Sequence, residues 1–83
     1  MMTKIVRAVH AGGRRIELSF SDGATGVWDG SALLEKSGSL IIPLHDPVFF
    51  NRFFIDAGAL CWPNGLELSP ERLREQITAV EHA

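Results

Sequence analysis

The side chains that could do chemistry in this chain are few. They are the adjacent His45-Asp46, the lone Cys61, the aspartates Asp22, Asp29, Asp46 and Asp56, and the scattered histidines His10, His45 and His82. A histidine beside a carboxylate has the groups for general acid–base work. These two are neighbours at a helix entry, where side chains rarely aim at one substrate. Asp46 before Pro47 is better placed to cap free amides. A cysteine nucleophile needs a base and an electropositive setting. Cys61 lies between Leu60 and Trp62 in an apolar run, so it reads as a small buried hydrophobe. The histidines lack HxxxH or CxxC spacing, which argues against a zinc site within one chain. Three of the four aspartates fall at turns or caps, where aspartate is ordinary. Gly12-Gly13 joins two strands rather than leading into a helix, so it is no phosphate loop. No residue is therefore assigned to catalysis, to a metal or to a cofactor, and the chain is expected not to be an enzyme.

Lys4, Arg7, Arg14 and Arg15 form a mildly basic end that a β-ribbon could present to DNA. A dedicated binder carries a basic stripe, and the net charge here is −2. A solvated hairpin tip is the preferred reading, with nucleic acid disfavoured as a partner. The large rings are more telling. Phe49, Phe50, Phe53 and Phe54 fall on one side of a helical wheel, while Asn51 and Arg52 point away. With Trp28 and Trp62 they are candidates for core or interface, since aromatic residues are enriched in both settings.

Elements that would position these groups follow from local pattern. Residues 4–11 are rich in β-branched side chains and end at Gly12-Gly13, a pair that suits a hairpin turn. Arg14 to Ser21 alternates, with Ile16, Leu18 and Phe20 opposite Arg15, Glu17 and Ser19. Asp22-Gly23 is a second hairpin signal, and Thr25–Asp29 is a third strand. Two-residue turns would set Val9 against Ile16 and Leu18 against Val27. The inner face would then hold Ile5, Val9, Ile16, Leu18, Phe20 and Val27, with Arg7 intruding. One residue more in the second turn would swing Trp28 inward. An outward Trp28 beside Val6 and Ala8 would make a sticky patch. Ser31–Lys36 reads as one helical turn capped by Ser31, and Leu40–Leu44, with its proline, as an extended connector. A Phe-rich helix is expected over about 46–53, strands near 55–62 and 66–68, and a helix over 70–81. That last helix has Ser69 as its cap, a Leu68/Leu73 staple, and a stripe continuing through Ile77 and Val80.

The 83 residues, 46% hydrophobic and 22% charged, make one α+β domain over 1–83. It is an antiparallel N-terminal meander extended by short strands, packed with the two helices. A chain this small buries only about 60–65% of its unfolded surface, so pairing with another chain would help it. One cysteine, no apolar leader and no apolar run of membrane length point to the cytoplasm and away from a membrane.

Three pieces carry a family resemblance: Phe20-Ser21-Asp22-Gly23 with Gly26 and Asp29; Leu44-His45-Asp46-Pro47 with Phe50; and Trp62-Pro63-Asn64-Gly65 with Glu67, Pro70 and Leu73. Over roughly Ile5 to Leu73 the chain resembles the bacterial domain-of-unknown-function family 2442. Glu67 stands where the family usually shows aspartate, and a helix continues past Leu73 where many members stop. The resemblance implies a small α+β domain without an established enzymatic activity. Some relatives carry an added helix-turn-helix domain. Others are similar to proteins encoded beside a second small protein, as in a toxin–antitoxin pair. The expected function is a non-catalytic protein-interaction domain, antitoxin-like by that resemblance, acting as a homodimer or with a small protein partner. The alternatives are a transcriptional regulator or DNA-binding accessory, and a small-molecule sensor or enzyme.

Overall fold

A computed structural model describes residues 3–79. Three strands, β1 (Ile5–His10), β2 (Arg15–Phe20) and β3 (Thr25–Asp29), form the expected meander. Two short helical segments follow: α1 (Ser31–Leu34) and a 3₁₀ turn at Ile42–His45. Then come α2 (Pro47–Phe50), β4 (Phe54–Asp56), β5 (Ala59–Cys61), β6 (Glu67–Leu68), α3 (Pro70–Gln76) and β7 (Thr78–Ala79). Two antiparallel sheets result, ordered β1-β2-β3-β7 and β4-β5-β6. The later strands thus build their own sheet, tied to the meander where Ile5 N–H donates to the Gly58 carbonyl at 2.9 Å.

Register is set by turn length. Phe20 N–H donates to Ala24 O and Gly23 N–H to Phe20 O. This is a three-residue turn with Gly23 left-handed at φ 89°, a common hairpin geometry. Asp22 Oδ1 accepts the Ala24 N–H at 3.1 Å. The first hairpin also takes one residue more than a two-residue turn. Val9 therefore opposes Glu17 rather than Ile16, and Leu18 opposes Gly26 rather than Val27. Since opposed residues share a face, Val9 turns outward and Trp28 inward. A bulge between Ile5 and Arg7 adds a residue to β1 and sets Arg7 against Ser19, removing it from the core row.

The same turn recurs at Trp62-Pro63-Asn64-Gly65-Leu66. Trp62 N–H donates to Leu66 O, Gly65 N–H to Trp62 O, and Asn64 Oδ1 accepts the Leu66 N–H. Asn64 Nδ2 also donates to the Leu40 carbonyl at 2.9 Å, holding the 3₁₀ region in place.

Four local expectations are corrected. The Phe-rich helix spans Pro47–Phe50 rather than 46–53. The helix closes where Arg52 N–H donates to the Phe49 carbonyl at 2.9 Å rather than to Val48, and the Phe50 carbonyl left free there accepts from Trp62 Nε1 at 2.9 Å. The C-terminal helix stops at Gln76, where Ile77 becomes extended (φ −70°, ψ 146°) and Thr78–Ala79 pair with β3. Val80 and Glu81 lie outside the described residues. Gly30 holds the cap position of α1 in place of Ser31, whose N–H is taken by Asp29 Oδ1 at 2.9 Å. Leu40–Leu44 coils rather than extends, because Pro43 stands in the first turn of a 3₁₀ segment, where its missing N–H needs no partner.

The core joins the inner meander face (Ile5, Ile16, Leu18, Phe20, Trp28) to Leu34, Ile41, Leu44, Phe50, Leu60, Trp62 and Leu73. The two-residue β4–β5 turn carries Ala57 and Gly58 at φ 51° and 81°. A Cβ on Gly58 would lie 2.7 Å from Lys4 Cβ, whereas one on Gly65 (φ 96°) would meet open space. Gly65→Ala is expected to cost about 1–2 kcal/mol for its left-handed backbone alone. Gly58→Ala should cost more than that, read by urea denaturation; equal costs would show that Lys4 yields freely.

Candidate functional site

Trp62 is the centre of the aromatic residues. Its ring centroid lies 5.9 Å from Phe50, 6.4 Å from Trp28 and 6.5 Å from Phe53. Trp28, Phe50 and Trp62 are buried, and Phe49 and Phe53 half-buried against the same cluster. Both indole N–H groups are satisfied, Trp62 by the Phe50 carbonyl and Trp28 by Gln76 Oε1 at 3.0 Å. Buried donors of this kind need partners. Of the core-or-interface candidates, these residues take the core role within the described chain.

The basic candidates do not converge. Lys4 sits at the start of β1, where its side chain packs beside Gly58. Arg7 is in β1, opposite Ser19. Arg14 and Arg15 stand at the far end of the hairpin, roughly 20 Å away along the strand direction. Four charges spread so widely make no stripe.

The chemically capable residues have structural partners. Asp46 Oδ1 accepts the Val48 N–H at 2.9 Å and caps α2. His45 is exposed and, with Arg14, lines a hollow over Leu44, Pro47 and Phe50. Burial pushes the Cys61 thiol up, aided by Glu67 and Asp56. It is thereby held as the protonated thiol, the unreactive form. His10 Nε2 is 2.9 Å from the Gly13 carbonyl. No group of three or more His, Cys, Asp or Glu side chains gathers for a metal among the described residues, and no helix there is long and apolar enough to cross a membrane.

Two surface features remain; sequence reasoning raised the first only in part and missed the second. β1 is an edge strand whose Val6 is 61% and Val9 42% exposed. Sequence left the facing of Trp28 open and tied a patch with Val6 and Ala8 to an outward Trp28; with Trp28 inside, Val6 and Val9 are the exposed apolar residues of this strand. The second feature is a groove of about 140 Å³ between α1 and α3. Its floor is Trp28, Leu33, Leu68 and Leu73, and Asp29, Lys36, Arg72 and Gln76 are the polar groups around it. Nothing in local sequence pairs Lys36 with Arg72; only the fold brings α1 beside α3.

Asp22 and Asp29 are held below the usual carboxylate value of 3.8. For Asp22 the main cause is the Ala24 N–H, followed by Arg74, whose Nε is 3.2 Å from Oδ2. For Asp29 the main cause is Ser31, through its hydroxyl and then its N–H. A depressed carboxyl stabilises the fold above its unfolded pKa, and that stability is lost as pH falls through the folded value. Stability should therefore drop as pH falls from about 4. The Asp22→Asn variant should show a shallower drop in denaturant midpoint between about pH 4 and pH 2. Parallel curves for variant and wild type would remove Asp22 from the account.

A family model described as "Protein of unknown function (DUF2442)" matches residues 5–79. No curated protein matches the chain. No solved structure matches it.

Proposed function

The chain belongs to the DUF2442 family, and we propose that it works as a non-catalytic protein-interaction domain that pairs through the open edge of β1. The observation that carries this reading is a sheet edge that, past the Ile5–Gly58 bond, has no strand beside it among the described residues and bears Val6 and Val9 in solvent. Edge strands offer free N–H and C=O groups to another chain, and soluble proteins commonly guard them with lysine, proline or a bulge. Here a bulge and Arg7 guard only the first half of β1; Ala8, Val9 and His10 carry no such block.

A second copy is the simplest occupant, because two β1 strands can pair antiparallel about a two-fold axis. Burying the exposed parts of four valines contributes about 4 kcal/mol. Association itself costs about 4–15 kcal/mol. The pair is therefore weak unless further surface joins it, and its population depends on concentration. An antitoxin-like role is the form of this reading in which a second small protein takes the same edge. The roles of DNA-binding accessory and enzyme gain no specific support from the dispersed basic residues or the capped aspartates.

Sedimentation equilibrium tests the proposal. Mass should rise from the 9.1 kDa of one chain toward twice that value as concentration increases to about a millimolar. Val6→Lys with Val9→Lys should hold the protein monomeric while leaving its thermal midpoint close to wild type. A wild-type chain that stays monomeric throughout would rule out self-pairing, and the double variant dimerising as well as wild type would place the interface elsewhere.

A further inference from the structure

The groove between α1 and α3 has the size and polarity of a ligand site independent of the β1 edge. Its floor is the buried Trp28 and Leu73 with the half-buried Leu33 and Leu68. Its volume of about 140 Å³ is close to the roughly 150 Å³ of an apolar cavity that admits benzene. It falls well short of the roughly 300 Å³ at which drug-sized sites begin. The occupant is accordingly one ring or one branched aliphatic group.

The polar groups around that floor are mostly donors. Lys36 and Arg72 are exposed, and neither is in an ion pair among the described residues. Gln76 turns its Oε1 to the Trp28 indole N–H. An indole can only donate, so the amide oxygen is fixed there and the two N–H donors of Gln76 are left over. The one carboxylate in the lining, Asp29, is engaged by the Ser31 N–H. Two cations and an amide donor against one occupied carboxylate leave a net charge of +1 beside an apolar floor. That combination matches an anion with an apolar tail.

We propose that this groove binds a small carboxylic acid whose tail is an aryl or branched aliphatic group, the tail lying on Trp28, Leu33, Leu68 and Leu73 and the carboxylate meeting Lys36, Arg72 and the Gln76 amide. The tail supplies most of the affinity and the rim supplies selection for the charge. A neutral isostere with the same ring keeps the first contribution and loses the second.

The probe is phenylacetate, titrated into the ¹⁵N-labelled full chain, with phenylacetamide as the uncharged control. Each tryptophan has one indole N–H signal, so the two report different places. Phenylacetate should move the Trp28 indole signal, with half-saturation on the order of a millimolar, and leave that of Trp62 in place. Phenylacetamide should bind about tenfold more weakly. Arg72→Gln and Lys36→Gln, both at exposed positions, should each weaken phenylacetate about three- to fivefold while leaving phenylacetamide unchanged. Ala32→Phe, which fills the groove from an exposed lining position, should abolish both titrations. Three results would overturn the proposal: no movement of the Trp28 signal up to about 20 mM ligand, equal affinity for acid and amide, or equal movement of both indole signals.

Discussion

One hydrogen bond organises most of the domain: Trp62 Nε1–H to the Phe50 carbonyl. An indole this deeply buried must find an acceptor, and the carbonyl it takes is the one that α2 would use for its next turn. The bond draws on a carbonyl left free where α2 closes through Arg52 N–H to the Phe49 carbonyl, and it fixes Trp62 where Phe50, Phe53 and Trp28 pack around it. It thereby ties the short helix that begins at Pro47 to the residue that follows β5.

The turns Phe20-Ser21-Asp22-Gly23 and Trp62-Pro63-Asn64-Gly65 are one device used twice. Each begins on a buried aromatic residue, accepts a backbone N–H two positions on through an Asx side chain, and closes on a left-handed glycine. Each also uses its polar side chain a second time. Asp22 meets Arg74 of α3, and Asn64 meets the backbone of Leu40. The Asp22-Gly23 and Asn64-Gly65 pairs are thus explained by geometry: they set strand register and fasten a distant segment.

The alternation of Ile16, Leu18 and Phe20 made β2 plain from sequence, and the proline-marked starts at Pro47 and Pro70 placed two helices correctly. What local pattern could not show was turn length. A single extra residue in each hairpin exchanged the roles of Val9 and Trp28, because side chains alternate with period two. Helix ends were overextended for a related reason. Ile77 and Val80 continue a helical stripe, but pairing with β3 at Thr78 wins over propensity, and propensity is a weak prior against tertiary contact. The groove was illegible because Lys36 and Arg72 acquire their common setting only when α3 packs beside α1. Phe50, Phe53 and Trp62 were legible as large rings needing cover, whereas the burial of Trp28 hung on register.

Among the described residues β7 joins β3 through two residue pairs, Gly26 with Ala79 and Val27 with Thr78. That pairing closes a loop of roughly 50 residues, which costs about 2 kcal/mol more entropy than closing a hairpin turn. The neighbouring strands meet through short local turns and zip quickly. By loop closure alone the β3–β7 seam is expected to form after the meander and to open before it, and the open state would expose a second edge opposite β1. Backbone amides at Thr78 and Ala79 that exchange as slowly as those in the middle of β2 would contradict this order.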